Sequence, residues 1–179
     1  MSEAPRIETA RLILRQFEAR DLDPHVAMLA DPVVMRHLGA PAAREDAWRR
    51  LLQAPGLWAL LGYGYWAVER RGDGAFLGQL GFADFKREID PPIEGLPEMG
   101  WLLATEAHGR GYASEGVAAA LDWADATLGA SEIVAIIAPE NEPSIRLAVR
   151  AGFERAEGTI YKGDPTLIFR RRYDRNESG

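Results

Sequence analysis

The chain has no cysteine, which excludes disulfides, thiolate metal sites and a covalent cysteine intermediate. It has no apolar run long enough to span a bilayer. Its first residues, MSEAPRIETARL, carry acids and bases where a secretory signal would carry an apolar core. A cytoplasmic protein with no membrane partner is therefore expected. Basic charge is in the minority: 21 Lys and Arg against 27 Asp and Glu give a net charge of −6. That argues against a nucleic-acid partner, because nonspecific binding to phosphate backbones rests on a basic surface. The histidines, His25, His37 and His108, show no metal-ligand spacing, so no metal is expected. Internal repeats, low-complexity stretches and an interdomain linker are also missing, so residues 1–179 read as a single domain.

What is present is an ordinary globular composition. The 179 residues are 47% hydrophobic and 27% charged, enough for one substantial core. Arg11 to Phe17 alternates polar and apolar residues, as a half-buried strand does. Helical patterns follow from Asp21, from Asp31-Pro32 through Leu38, and over Ala42 to Leu52, with Pro55-Gly56 as the expected stop. Gly64–Arg70 and Ala75–Phe85 read as strands joined by the turn signal Arg71-Gly72-Asp73-Gly74. Lys86 to Pro97, with three prolines and a glycine, reads as an excursion loop. Glu98 to Ala104 is the next strand, and Gly111 to Leu128 is a helix with one apolar face, closed by Gly129. Glu132 to Ala138 is a covered strand, and Asn141 caps a helix ended by Gly152. Phe153 onward and Thr166–Arg172 form a final hairpin, and Asp174–Gly179 reads as a frayed tail. The order β-α-α-β-β-β-α-β-α-β-β offers too few helices for a doubly wound sheet and too few strands for an eight-stranded barrel. A mixed α+β fold is expected, with a sheet of about seven strands and helices on both faces.

The richest stretch is Glu98 to Gly116, EMGWLLATEAHGRGYASEG. A strand opens through small residues into a helix start, where backbone N–H groups lack intrahelical partners and face outward at the positive end of the helix dipole. Such a junction suits a phosphate-bearing ligand. A dinucleotide fingerprint is met only in part at Ser114, and the chain offers one βαβ unit where that fold needs several. A Walker loop needs Gly-Lys-Ser/Thr, which is absent.

His108-Gly109-Arg110-Gly111-Tyr112-Ala113 resembles the pyrophosphate loop of the GNAT acetyltransferases, Gln/Arg-x-x-Gly-x-Gly/Ala, with His108 as a departure at the first position. A second GNAT signature is resembled by Asn141-x-x-Ser144-Ile145-Arg146-Leu147 and then Ala151-Gly152-Phe153. The likeness runs from Thr9-Ala10-Arg11-Leu12 through Gly64-x-Trp66-Ala67-Val68 to Gly152-Phe153 and is greatest to the branch holding the ribosomal-protein serine or alanine N-terminal acetyltransferases. The resemblance implies a GNAT-like, mostly antiparallel mixed sheet. It also implies acetyl-CoA as co-substrate, a primary amine as acceptor, and allows a homodimer. The cofactor would lie on the backbone of Trp101, Leu102 and Leu103 and on His108, Gly109, Arg110, Gly111, Tyr112, Ala113, Ser114 and Asn141.

The chemistry that the resemblance implies is deprotonation of an amine. A lysine-like amine at neutral pH costs about 4–5 kcal/mol to deprotonate, an α-amine much less. Glu98 is the candidate base, with a surface carboxylate flanking a strand as the alternative. The tyrosine that many members place seven residues after the asparagine is here Ala148; the resemblance to the ribosomal-protein branch implies instead the serine three residues after the asparagine, Ser144, as the candidate acid for the leaving thiolate. The other reading of Ser144 is a first-turn helix residue that bonds backbone N–H groups. Asn141 serves as cap, as cofactor ligand, or as both. The acceptor pocket would draw on Leu38 to Tyr65, the 86–97 loop and the last hairpin. The alternatives to acetyl transfer are a noncatalytic acyl-CoA-binding or regulatory module, and transfer of a longer acyl group.

Overall fold

A computed structural model describes residues 3–172, so the tail expected at Asp174–Gly179 lies outside the described residues. The elements are β1 (Ile7–Glu8), β2 (Leu12–Arg15), α1 (Leu22–Ala30), α2 (Pro32–Met35), α3 (Arg44–Leu61), β3 (Tyr65–Arg70) and β4 (Phe76–Ala83). They continue with β5 (Glu98–Leu103), α4 (Tyr112–Thr127), β6 (Glu132–Ile137), α5 (Glu142–Arg150), β7 (Glu154–Tyr161) and β8 (Asp164–Arg172). The sheet has eight strands in the order β1-β2-β3-β4-β5-β6-β8-β7 and is open rather than closed. β5 and β6 pair in parallel. The β1–β2, β2–β3, β3–β4, β6–β8 and β7–β8 pairs are antiparallel. Among the described residues no helix is long and apolar enough to cross a membrane.

Two differences from the sequence expectation have clear causes. The additional strand is β1, only two residues long, whose pairs Ile7↔Leu14 and Glu8↔Ile13 exist because β2 offers an edge. No alternation can be read from two residues. The second is α3, which runs through Pro55-Gly56 to Leu61 and ends at Gly62, where φ is +75°. An internal proline costs about 3 kcal/mol. Ala47, Leu51, Ala54 and Trp58 nevertheless share one buried face at helical spacing. Trp58 is 1% exposed, lies edge-on to Trp66 at 4.8 Å, and donates its indole N–H to the Tyr65 carbonyl at 3.1 Å. Burying Leu51 and Trp58, at about 1.5–3 kcal/mol per large side chain, offsets the proline.

The chain folds as two compact units, 1–81 with 101–120 and 82–100 with 121–179, so β4 and β5 each pass from one unit to the other. In the first unit Phe17, Met28, Leu29, Met35, Leu51 and Phe76 lead the core. A buried ion cluster lies there too. Arg15 donates to both Asp21 oxygens at 2.8 Å and to Glu69 Oε2 at 2.7 Å. In the second unit Ile89, Ile93, Val134 and Ile168 form a smaller core, with Leu96, Ile136 and Tyr161 packed on it.

Candidate functional site

β5 ends at Leu103, and a 3-10 turn over Thr105–Ala107 redirects the chain before α4. Two bonds fix that turn. Thr105 Oγ1 donates to Asp31 Oδ2 at 2.6 Å, and His108 Nε2 sits 2.8 Å from the Leu103 carbonyl. The His108 ring, expected at the cofactor, is thus turned back onto the end of its own strand. Gly109 has φ +69° and Gly111 φ +77°, while Arg110 between them keeps a negative φ. The alternation explains the G-x-G spacing, because both outer positions fall where a Cβ is disfavoured. Alternating hands also turn successive N–H groups to one side, the arrangement of an anion-binding nest.

The surface of the loop is accessible: His108, Gly109, Arg110, Gly111 and Ser114 are exposed. The helix then closes its first turn with Glu115 N–H donating to the Gly111 carbonyl at 3.1 Å. Tyr112 is buried, its ring 4.7 Å below the Arg11 guanidinium, so it offers the loop a backbone N–H and not a hydroxyl. These loop residues and Trp101–Leu103 belong to the same unit, and the His108–Leu103 contact ties the two stretches together. Leu103 is buried and Trp101 and Leu102 are half-buried. In the same unit an open groove of about 590 Å³ is lined by Leu22, Ala43, Arg44, Glu45 and Trp48, and four of these fall in the stretch expected to set the acceptor.

The second unit holds Glu98, Asn141 and Ser144. Glu98 is 5% exposed and opposite Val134 in the β5–β6 pairing. It accepts two bonds from Arg87, at 2.6 Å from Nε and 2.8 Å from Nη2. Arg87 lies over the rings of Phe85 at 4.8 Å and Tyr161 at 5.2 Å, and donates to the Tyr161 hydroxyl at 3.3 Å. The surface-carboxylate alternative for Glu98 therefore fails, because its carboxylate is buried and paired. Sequence reasoning missed Arg87 altogether. It sits in the proline-rich excursion loop, and its partner is eleven residues away across an irregular path.

Asn141 acts as a helix cap: its Oδ1 accepts from Ser144 N–H at 3.2 Å, and its carbonyl accepts from Ile145 N–H at 3.0 Å. The cap uses one oxygen and leaves the side-chain NH₂ as a donor. Ser144 is half-buried in the first turn of α5. Ala148 is fully buried and its carbonyl accepts from Phe153 N–H at 3.0 Å, so that position supplies no acid.

The acetyltransferase (GNAT) domain family matches residues 11–154. The uncharacterised N-acetyltransferase YoaA of Bacillus subtilis (strain 168) is 28% identical over 158 residues, covering 87% of this chain and 86% of its own. The crystal structure of an acetyltransferase from Agrobacterium tumefaciens str. C58 superposes with a TM-score of 0.82 at 27% identity, over 96% of each chain. The fold is shared as well by RimL, a ribosomal L7/L12 α-N-protein acetyltransferase solved in complex with coenzyme A. There the TM-score is 0.77 at 17% identity, over 95% of this chain and 99% of that one.

Proposed function

The chain belongs to the GNAT acetyltransferase family, and from that premise we propose that it transfers the acetyl group of acetyl-CoA directly to a primary amine in the cytoplasm. The acceptor is a protein N-terminus or a small-molecule amine. The observation that carries the reading is the Gly109–Ser114 stretch, exposed at Gly109, Arg110, Gly111 and Ser114, whose alternating φ signs and helix-start amides suit a pyrophosphate. The neighbouring first-turn acid does not oppose it, because Glu115 is already bonded to Arg11.

Acetyl-CoA supplies the acetyl group as an activated thioester. The amides of Gly109 to Ser114 would hold its pyrophosphate, with Arg110 adding charge and His108 bracing the loop against Leu103. The backbone of Trp101, Leu102 and Leu103 would bond the pantetheine arm as an added strand, and an N–H of β5 would bond the developing oxyanion. The Asn141 side-chain NH₂ would add a donor. Arg87 uses two of roughly four lone-pair positions on the Glu98 carboxylate, so Glu98 would take the amine proton on the others, directly or through water. Ser144 would assist departure of the thiolate. Two chains acting as a homodimer are compatible with this reading.

The test combines calorimetric titration of acetyl-CoA, CoA and longer acyl-CoAs with CoA release over an amine panel. The expected result is binding of acetyl-CoA and amine-dependent CoA release. Binding without release on any amine would make the chain an acyl-CoA-binding module. Preference for longer chains would replace acetyl transfer with another acyl transfer.

A further inference from the structure

The first turn of α4 carries an acid beside the loop that would receive an anion, and that acid is not left to itself. Glu115 Oε1 accepts from Thr9 Oγ1 at 2.6 Å and from the Arg11 N–H at 2.8 Å. Its Oε2 accepts from Arg11 Nε at 2.6 Å. The same guanidinium reaches further: Nη1 donates to the Arg110 carbonyl at 2.9 Å. A Cβ built on Gly111 would lie 3.3 Å from Nη2. The segment that carries these groups is itself fixed. Arg71 N–H donates to the Arg11 carbonyl at 2.9 Å, and Arg71 Nη1 donates to the Thr9 carbonyl at 3.1 Å. Leu12 N–H donates to Thr9 Oγ1 at 2.9 Å, closing the turn.

We propose that Arg11 is a positioning residue for the pyrophosphate loop, acting through the Arg110 carbonyl and through Glu115. The proposal rests on the reading that this loop takes the pyrophosphate of coenzyme A. Two physical consequences follow from the contacts. The Arg110 carbonyl and the Gly111 N–H belong to one planar trans peptide and point in opposite directions. Holding the carbonyl on Arg11 therefore aims the Gly111 N–H away from Arg11, and the freely rotating glycines on either side cannot undo it. The second consequence is electrostatic. A carboxylate in the first turn would repel a bound phosphate, but Arg11 lies directly on it and cancels that field at short range. The bonds of Thr9 and Arg11 also hold the Glu115 carboxyl below the usual carboxylate range, against the opposite pull of its partial burial. The acid thus stays ionised and stays paired.

The clamp is tested by comparing two acetyl donors, acetyl-CoA and acetyl-pantetheine, the second of which lacks the pyrophosphate together with the 3′-phosphoadenosine it carries. Arg11→Ala is expected to raise the KM for acetyl-CoA about tenfold while kcat stays within about twofold. The KM for acetyl-pantetheine should change less than about twofold, because that donor never meets the loop. Arg11→Lys should fall between, since an ammonium keeps the charge but not the two-way fork. Adding Glu115→Gln to Arg11→Ala should recover part of the lost affinity, by removing the uncovered charge. An equal KM rise for both donors, or an unchanged KM for acetyl-CoA, would overturn the clamp. If Arg11→Ala does not fold, Arg11→Lys carries the same comparison. Should the wild type itself fail to prefer acetyl-CoA over acetyl-pantetheine, the pyrophosphate reading fails, an outcome distinct from failure of the clamp alone.

Discussion

Arg87 and Glu98 close a two-bond ion pair, Nε to Oε2 at 2.6 Å and Nη2 to Oε1 at 2.8 Å, with the carboxylate side chain 7% exposed and the guanidinium 22% exposed. The pair pins the irregular 86–97 segment to the first residue of β5 and places a charged carboxylate where the sequence pattern suggests a base. Removing one partner of such a pair leaves the other buried without its counter-charge. Arg87→Met is expected to cost about 2–4 kcal/mol in urea unfolding. Glu98→Gln keeps an acceptor and should cost about 1–2 kcal/mol. On the proposed mechanism Glu98→Gln also reduces turnover, mainly at lower pH. A pH–rate profile that matches the wild type would confine Glu98 to anchoring the loop.

Gly109 has open space around it, so only its φ of +69° resists a side chain. Gly109→Ala is expected to lower stability by about 1 kcal/mol. A larger effect is expected on the cofactor. Relaxation toward negative φ would turn the neighbouring N–H groups, and the KM for acetyl-CoA should rise about tenfold. Thermal unfolding alongside steady-state kinetics checks both. An alanine variant with the stability loss but wild-type KM would separate the loop from cofactor binding.

Asn141 can be divided into its two candidate roles. Asn141→Ala removes the Oδ1 that accepts from Ser144 N–H and should cost about 1 kcal/mol. Asn141→Asp restores an acceptor at the cap but carries no N–H donor. The aspartate variant is therefore expected to melt like the wild type and still bind acetyl-CoA severalfold more weakly by calorimetry. Recovery of both properties would leave Asn141 a cap only.

Stability should fall on the acid side in two stages. His25 is fully buried between Phe17 and Phe76, with Nε2 3.1 Å from Gln79 Oε1. Burial holds its imidazole below the ordinary 6.5, only partly offset by the Gln79 bond. Below pH 6.5 the unfolded chain takes up a proton that the native state refuses. Stability then declines by up to about 1.4 kcal/mol per pH unit until the folded value is passed. Asp21 adds the second stage. Its burial works to raise it, but the Arg15 bonds and the Glu18 N–H outweigh that and hold the carboxyl below 3.8. Its contribution is present above 3.8 and is lost as pH falls through the folded value. Denaturation series from pH 7 to 3 should show both stages. His25→Gln should flatten the first and keep the second, and an unchanged slope between pH 6.5 and 5 would exclude His25.

Much of the fold is legible because it is written in local pattern. The apolar run of β6 needs no partner to be recognised, and the face of α4 repeats at helical spacing over four turns. The G-x-G spacing by itself marks two positions suited to positive φ. Asn141 is legible as a cap because capping is decided within three residues. The reach of α3 beyond Pro55 is not legible, since the gain that keeps it helical comes from Trp58 against Trp66, a contact made by another element.

The sequence alone determined most of the elements, the G-x-G junction between β5 and α4 and the resemblance to the family, because each is encoded by residue type at short, fixed spacing. Tertiary structure decided which charges meet. Arg87 with Glu98, Arg15 with Asp21 and Glu69, and Arg11 with Glu115 are pairings across 6 to 104 residues. A charge carries no mark of its partner. Ionic contact depends on distance and burial, and those exist only once the chain has folded.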